Sequence, residues 1–289
     1  MRRPELQRPL LVAAFRGWND GAQAASLAAS FLARALDAKR FAEIDPEEFF
    51  DFQAVRPHVS LEDGLTRRID WPENAFLDAV VPAGDRHLVL LLGVEPNTRW
   101  RAFTAEIVEL ARELGVEMVV TLGALLADVP HTRPTPVTGS ASDPKLVEEL
   151  GLGLSRYEGP TGIVGVLHDA CRNADLPSVS FWAAVPHYAS LAPSPKAAFV
   201  LCRRLSELLK AELDLSELER AGEAYERQVS EAVASDEETE AYVRELERRA
   251  DALQAEADLP SGDTLAAELT RFLREHEARR RAEDQDAGD

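Results

Sequence analysis

Cysteine is scarce in this chain: Cys171 and Cys202 are the only two. Both fall inside apolar helical patterns, which leaves no disulfide framework or cysteine zinc site and predicts buried thiols in a reducing compartment. Positive charge is short as well. The 51 Asp and Glu residues outnumber 32 Lys and Arg, for a formal net charge of −19. Nucleic acid and anionic membranes are both held by clustered cations, so neither is expected as a partner. Long apolar runs are missing too. The arginine-bearing N-terminus offers only the apolar stretch 10–15, too short for the core of a secretion signal, and no segment approaches transmembrane length. A cytoplasmic location is the expectation.

Apolar residues, in contrast, make up 45% of the 289 positions, enough for one large α/β domain with an appendage or for two domains. Charge divides the chain. Residues 1–210 hold 22 cationic and 27 acidic side chains, whereas residues 211–289 hold 10 arginines, no lysine and 24 acids. The seam near Lys210 predicts an α/β core over residues 8–213 and an acidic helical region over 214–289 that ends in a disordered tail.

Periodicity fills in the core. Apolar strands are predicted at 10–15, 87–93, 116–123 and 179–185, with "EEFFDFQAVRP" also rich in strand formers. Asp63-Gly64 marks a β-hairpin, an insertion near 48–72. Helices are predicted over 22–40 with Asp20 as cap, 99–114 closed by Gly115, 144–150, from Ile163, and from a Ser194 cap to about Leu213. Continuous apolar strands alternating with helices imply a mainly parallel sheet covered on both faces, with ligands or partners at the strand C-terminal ends. After Leu213, apolar residues step by three and four, and Ser235 with Glu238 forms a capping box between two helices. These helices either self-associate or pack on their own core. A third helix runs through Phe272 and Leu273.

Four strand-end loops carry unusual residues. "RGWNDG" (16–21) offers Gly17 and Asn19 to an anion, or forms a tight turn with Trp18 packed at the edge; it lacks the repeated glycines of a phosphate fingerprint. In "GVEPNTRW", Glu95 and Arg99 either grip a polar ligand or pair with each other, beside Trp100. Val-Pro-His occurs twice, at 129–131 and 185–187. Proline ends strand pairing there. Asp128, His131 and His187 then make a metal or proton-transfer site, or the imidazoles are structural hydrogen-bonding groups; Arg133 and Tyr188 accompany them. No helical His pair, cysteine ligand or serine nucleophile elbow supports a catalytic set. "YEGPTGI" adds Tyr157 and a Thr161 able to cap the next helix.

Taken in order, "FRGWNDG", "GVEPNTRW", "LLADVPHTRP", "YEGPTGI", "FWAAVPHY" and "SPKAAF" resemble the proteasome assembly chaperone 2 family in its actinobacterial form, over roughly residues 8–260. The 28 arginines against 4 lysines suit a GC-rich genome. The resemblance implies a three-layer α/β/α sandwich like that of nucleoside phosphorylases and hydrolases, used without their active site. It also implies a non-enzymatic, oligomeric assembly factor, a trimer or tetramer without cofactor or metal, with proteasome α-subunits as partners. Characterised relatives dock partly through a C-terminal hydrophobic-Tyr-any tail. This chain ends Ala287-Gly288-Asp289 instead, so docking would use another surface, such as the acidic helices. The alternative is a phosphate- or nucleoside-type ligand binder, or a hydrolase-like enzyme, working in the strand-end crevice.

Overall fold

The computed structural model describes residues 4–82, 86–154, 157–189 and 192–257. Strand β1 (Leu10–Arg16) is buried at every position but the last. A 3-10 turn at Gly21–Gln23 leads into helix α1 (Ala24–Ala35). An edge strand β2 (Lys39–Ile44), the hairpin β3 (His58–Glu62) and β4 (Thr66–Asp70), and strand β5 (Asn74–Val80) follow. Then come β6 (His87–Val94), helix α2 (Trp100–Glu113) and β7 (Met118–Ala127). The short elements β8 (Val137–Ala141), α3 (Pro144–Glu149) and β9 (Gly153–Leu154) precede α4 (Ile163–Asn173) and β10 (Ser178–Pro186). Helices α5 (Pro195–Leu209), α6 (Ser216–Ala234) and α7 (Glu237–Ala257) complete the described chain.

The main sheet has eight strands in the order β2-β5-β6-β1-β7-β10-β8-β9. Its four central strands, β6, β1, β7 and β10, run parallel, while β5 and β8 pair with them antiparallel. Strand β1 shows why its sequence does not alternate between apolar and polar. Leu11, Ala13 and Phe15 face Phe103, Ile107 and Leu167 of α2 and α4, while Leu10, Val12 and Ala14 face the alanines of α1 and Leu201 and Leu205 of α5. Both faces are covered, so both must be apolar. The result is a three-layer α/β/α sandwich. Phe103 is fully buried, edge-on to Phe15 and Phe49 at ring-centre distances of 5.9 and 5.3 Å; burying such a side chain is worth about 1.5–3 kcal/mol. No described helix is long and apolar enough to cross a membrane.

Three local expectations are corrected. The helix predicted over 22–40 starts at Ala24 and stops at Ala35, because Asp37 turns left-handed (φ 50°) and releases Lys39–Ile44 into an edge strand. The aromatic run at 47–55 is turn, not strand. Pro46 and the Asp45 carboxylate, which accepts the Glu47 N–H at 3.0 Å, fold it back so that Phe49 and Phe50 enter the core. Between α6 and α7 the cap is Asp236, bonded to the Glu238 N–H (3.3 Å) and the Thr239 hydroxyl, while Ser235 bonds back to Ala232.

Helix α6 lies along α5. Gly222, costly inside a helix, has its reason in that approach: a Cβ there would stand 3.3 Å from the Lys196 Cα. The hairpin β3–β4 forms a separate two-stranded sheet, largely in solvent. The third helix through Phe272 and the tail lie outside the described residues.

Candidate functional site

Parallel strands deliver their connections to one margin, and the unusual loops meet there in two groups. Glu95, one residue past β6, is the hub of the first. Its Oε2 accepts the Trp18 N–H at 3.1 Å, and its Oε1 accepts Asn19 Nδ2 at 2.9 Å and the Ile163 N–H at 2.8 Å. One carboxylate therefore joins the loop after β1, the loop after β6 and the first turn of α4. Two glycines make room for it. Gly17 adopts φ 144° with space for no Cβ beside that of Glu95 (2.8 Å), and a Cβ on Gly162 would lie 2.1 Å from Asn19 Nδ2.

Several expected roles change partners here. Arg99 does not pair with Glu95: it pairs with Glu48 and lies over the Phe49 ring, because the backbone at 99 is left-handed and points it away. Thr161 does not cap α4, since Gly162 occupies the cap position and Glu95 takes the Ile163 N–H instead. Asp20 does serve α1, across the inserted 3-10 turn, accepting the N–H groups of Ala25 (2.8 Å) and Ser26 (3.2 Å). Burial raises its pKa, against the pull of those bonds in the other direction. Trp100 donates its indole N–H to the Pro96 carbonyl at 2.6 Å. Trp18 is not packed at the edge; it stands 63% exposed, as does Tyr157 at 64%, whose hydroxyl donates to the Pro160 carbonyl. Leu126, at the end of β7, is also exposed.

The two Val-Pro-His loops form the second group, and each imidazole bonds across to the other loop. His187 Nδ1 lies 3.2 Å from Asp128 Oδ1, which also accepts the Tyr242 hydroxyl at 3.1 Å. The Tyr188 hydroxyl accepts the His131 backbone N–H at 2.8 Å, so its own proton goes to His131 Nδ1, also at 2.8 Å. That leaves the proton on Nε2, donated to Ser230 Oγ at 3.0 Å, whose hydroxyl in turn donates to the Glu226 carbonyl. The chain of bonds fits a neutral imidazole, and burial holds the His131 pKa below the usual value and raises that of Tyr188 to about 12. Tyr188 stands edge-on to both imidazoles, at 5.8 Å from each. Among the described residues no three His, Cys, Asp or Glu side chains gather as a metal ion requires.

This second group seats the C-terminal helices. Arg133 makes a two-pronged pair with Asp251 (2.6 and 2.9 Å), Thr132 bonds Glu247, and Lys196 bonds both the His131 carbonyl and Glu226. Tyr225, Val229, Val233 and Val243 pack against Tyr188 and Ala189 beneath. Lys196, Glu226, Ser230 and Tyr242 are the residues that motif reading missed. The signal for two of them was present: Glu226 and Ser230 are four apart and share one face of α6.

A model of the PAC2 family matches residues 14–233. Among solved structures, a PAC2 family protein of Streptomyces avermitilis is 47% identical, covering 81% of this chain and 99% of that one, with a TM-score of 0.76. A proteasome-assembly chaperone homologue of Mycobacterium tuberculosis is also 47% identical over the same shares, 81% and 99%, with a TM-score of 0.75. An archaeal proteasome activator of Pyrococcus furiosus, 17% identical over 80% of this chain and 96% of its own with a TM-score of 0.65, shares the fold alone. No curated protein sequence matches.

Proposed function

The chain belongs to the PAC2 family, as its loop motifs suggest, and on that premise we propose that it is a non-enzymatic, oligomeric assembly factor of the cytoplasm that binds proteasome α-subunits. The supporting observation is the state of the strand-end margin. The polar groups at its two hubs, Glu95 with the Asn19 Nδ2 and His131 with Tyr188, are spent on holding loops and helices to one another. What they hold up to solvent is apolar: Trp18, Tyr157 and Leu126. Exposed aromatic anchors on a rigid frame suit protein contact better than bond-making chemistry. The 47%-identical M. tuberculosis structure, a proteasome-assembly chaperone homologue, supports the choice of partner. Capture of α-subunits from a proteasome-containing extract by the tagged full chain tests it; recovery no higher than from bare resin counts against it.

Self-association rests on the hairpin. In β3–β4 the register Val59↔Ile69 and Leu61↔Arg67 puts three large apolar side chains on one face, while Ser60, Glu62, Arg68 and Asp70 satisfy one another on the other. Val59, Leu61 and Ile69 are each more than half exposed, and Leu65 at the tip is 89% exposed. A two-stranded hairpin is marginal alone in water, so this arm needs a cover that is always present, and another copy of the chain is one. A trimer or tetramer built through these arms is our reading.

A further inference from the structure

A cavity of about 390 Å³ opens beside the Glu95 hub, between the ends of β1 and β6 and the flank of α1. Its floor is apolar, from Ala14 and Leu92, and its wall is a stripe of α1. Ser26, Leu27 and Ser30 recur there at helical spacing beside the alanines that α1 sends to the core, and Gln23, the left-handed residue just before α1, extends the wall. Arg16, the last residue of β1, stands at the mouth. Among the described residues its guanidinium makes no hydrogen bond or ion pair, and neither the Gln23 amide nor the Ser30 hydroxyl has a partner. The volume falls within the range of small-molecule pockets.

We propose that this pocket binds a small organic carboxylate, its anionic end forked by Arg16 and its apolar body on the Ala14–Leu92 floor beside Leu27. A guanidinium presents two parallel N–H groups matched to a carboxylate. The surroundings select a single negative charge. Glu73 lines the same cavity, where it is tied to Arg40 at 2.8 Å, and Arg16 already acts electrostatically on the Asp20 carboxylate. Arg40 is committed to Glu43 and Glu73, so Arg16 is the one uncommitted cation lining the cavity among the described residues. A doubly charged phosphate would find a single guanidinium there, with the Asp20 carboxylate near it, and the phosphate alternative read from the loops is disfavoured. Of the residues that alternative relied on, Asn19 already gives its Nδ2 to Glu95, and Gly17 lies packed against the Glu95 side chain.

Thermal unfolding of the full chain, with benzoate, phenylacetate and 4-methylvalerate against their neutral amides and inorganic phosphate, tests the assignment. At least one carboxylate is expected to raise Tm by a few degrees, saturably, at concentrations up to about 10 mM, because selective binding to the native state must stabilise it. The amides and phosphate are expected to give no shift. The Arg16→Gln variant, altered at an exposed strand end, and Ser30→Leu, which fills the cavity from α1, are each expected to abolish the response while keeping the parent far-ultraviolet circular dichroism. No shift with any of the three acids, equal shifts with the amides, a response to phosphate alone, or a response surviving in folded Arg16→Gln overturns the proposal. If one variant does not fold, the other decides.

Discussion

Glu95 and His131 hold the two halves of the strand-end margin, and each makes a test at the scale of one side chain. Glu95→Ala leaves the N–H groups of Trp18 and Ile163 and the Asn19 amide without their acceptor. Stranding partly buried donors costs about 2–4 kcal/mol in sum, which a urea titration will show as a lower midpoint, with Glu95→Gln losing less. For His131 the expectation concerns pH. Burial depresses its pKa from the ordinary 6.5, so the unfolded chain takes up the proton first as pH falls through that value. Stability due to this group is therefore whole above about pH 6.5 and declines below it. Protonation would also set an Nδ1 proton against that of the Tyr188 hydroxyl. His131 faces Glu226, Lys196 and Glu247, and His168, likewise depressed by burial, adds to the same slope. The loss of urea midpoint between about pH 7.5 and 5.5 is expected to shrink in His131→Gln relative to the parent; an unchanged loss contradicts the neutral tautomer. The sequence showed that these residues sit at strand ends, because proline and glycine mark such ends. It did not show their partners, since Glu95 meets Ile163 and His131 meets Ser230 across folds that no local spacing encodes.

Among the elements, the central strands and most helices were readable because doubly buried strands are apolar without interruption, as in "HLVLLLG". Edge strand β2 and its neighbour β5 were not, since "KRFAEI" and "NAFLDAV" mix exposed and buried positions and sit beside stronger helical or aromatic signals. Asp63-Gly64 revealed the hairpin, both residues having positive φ, but not that its apolar face would stand free. If the proposed oligomer is held by these arms, Leu61→Lys with Ile69→Lys is expected to leave monomers by light scattering where the parent gives a larger species, with monomer stability within about 0.5 kcal/mol of the parent, as for other surface changes. Gly222 tests the seat of the C-terminal helices. Valine there would press on the α5 backbone at Lys196, an overpacking cost of about 1–3 kcal/mol. Faster hydrogen exchange is expected in α6 and α7, with β1, β6, β7 and β10 as protected as before.

Over the whole molecule, one parallel sheet sends its glycine- and proline-rich connections to a single margin and divides that margin in two. The half around Glu95 stays open, with Trp18 and Tyr157 in solvent, and the half around the two imidazoles lies under α6 and α7. This division follows from the acidic helices packing back through Arg133, Lys196 and Tyr188, a contact set that the charge seam near Lys210 did not disclose. The proposed partner contact is therefore assigned to the open half. The most direct measurement is capture of proteasome α-subunits from an extract of the host by the tagged chain and by Trp18→Ala/Tyr157→Ala, which should leave the fold intact because both side chains are exposed. The parent is expected to retain α-subunits and the double variant to lose them. Equal capture by both proteins, or none by the parent, would contradict the account.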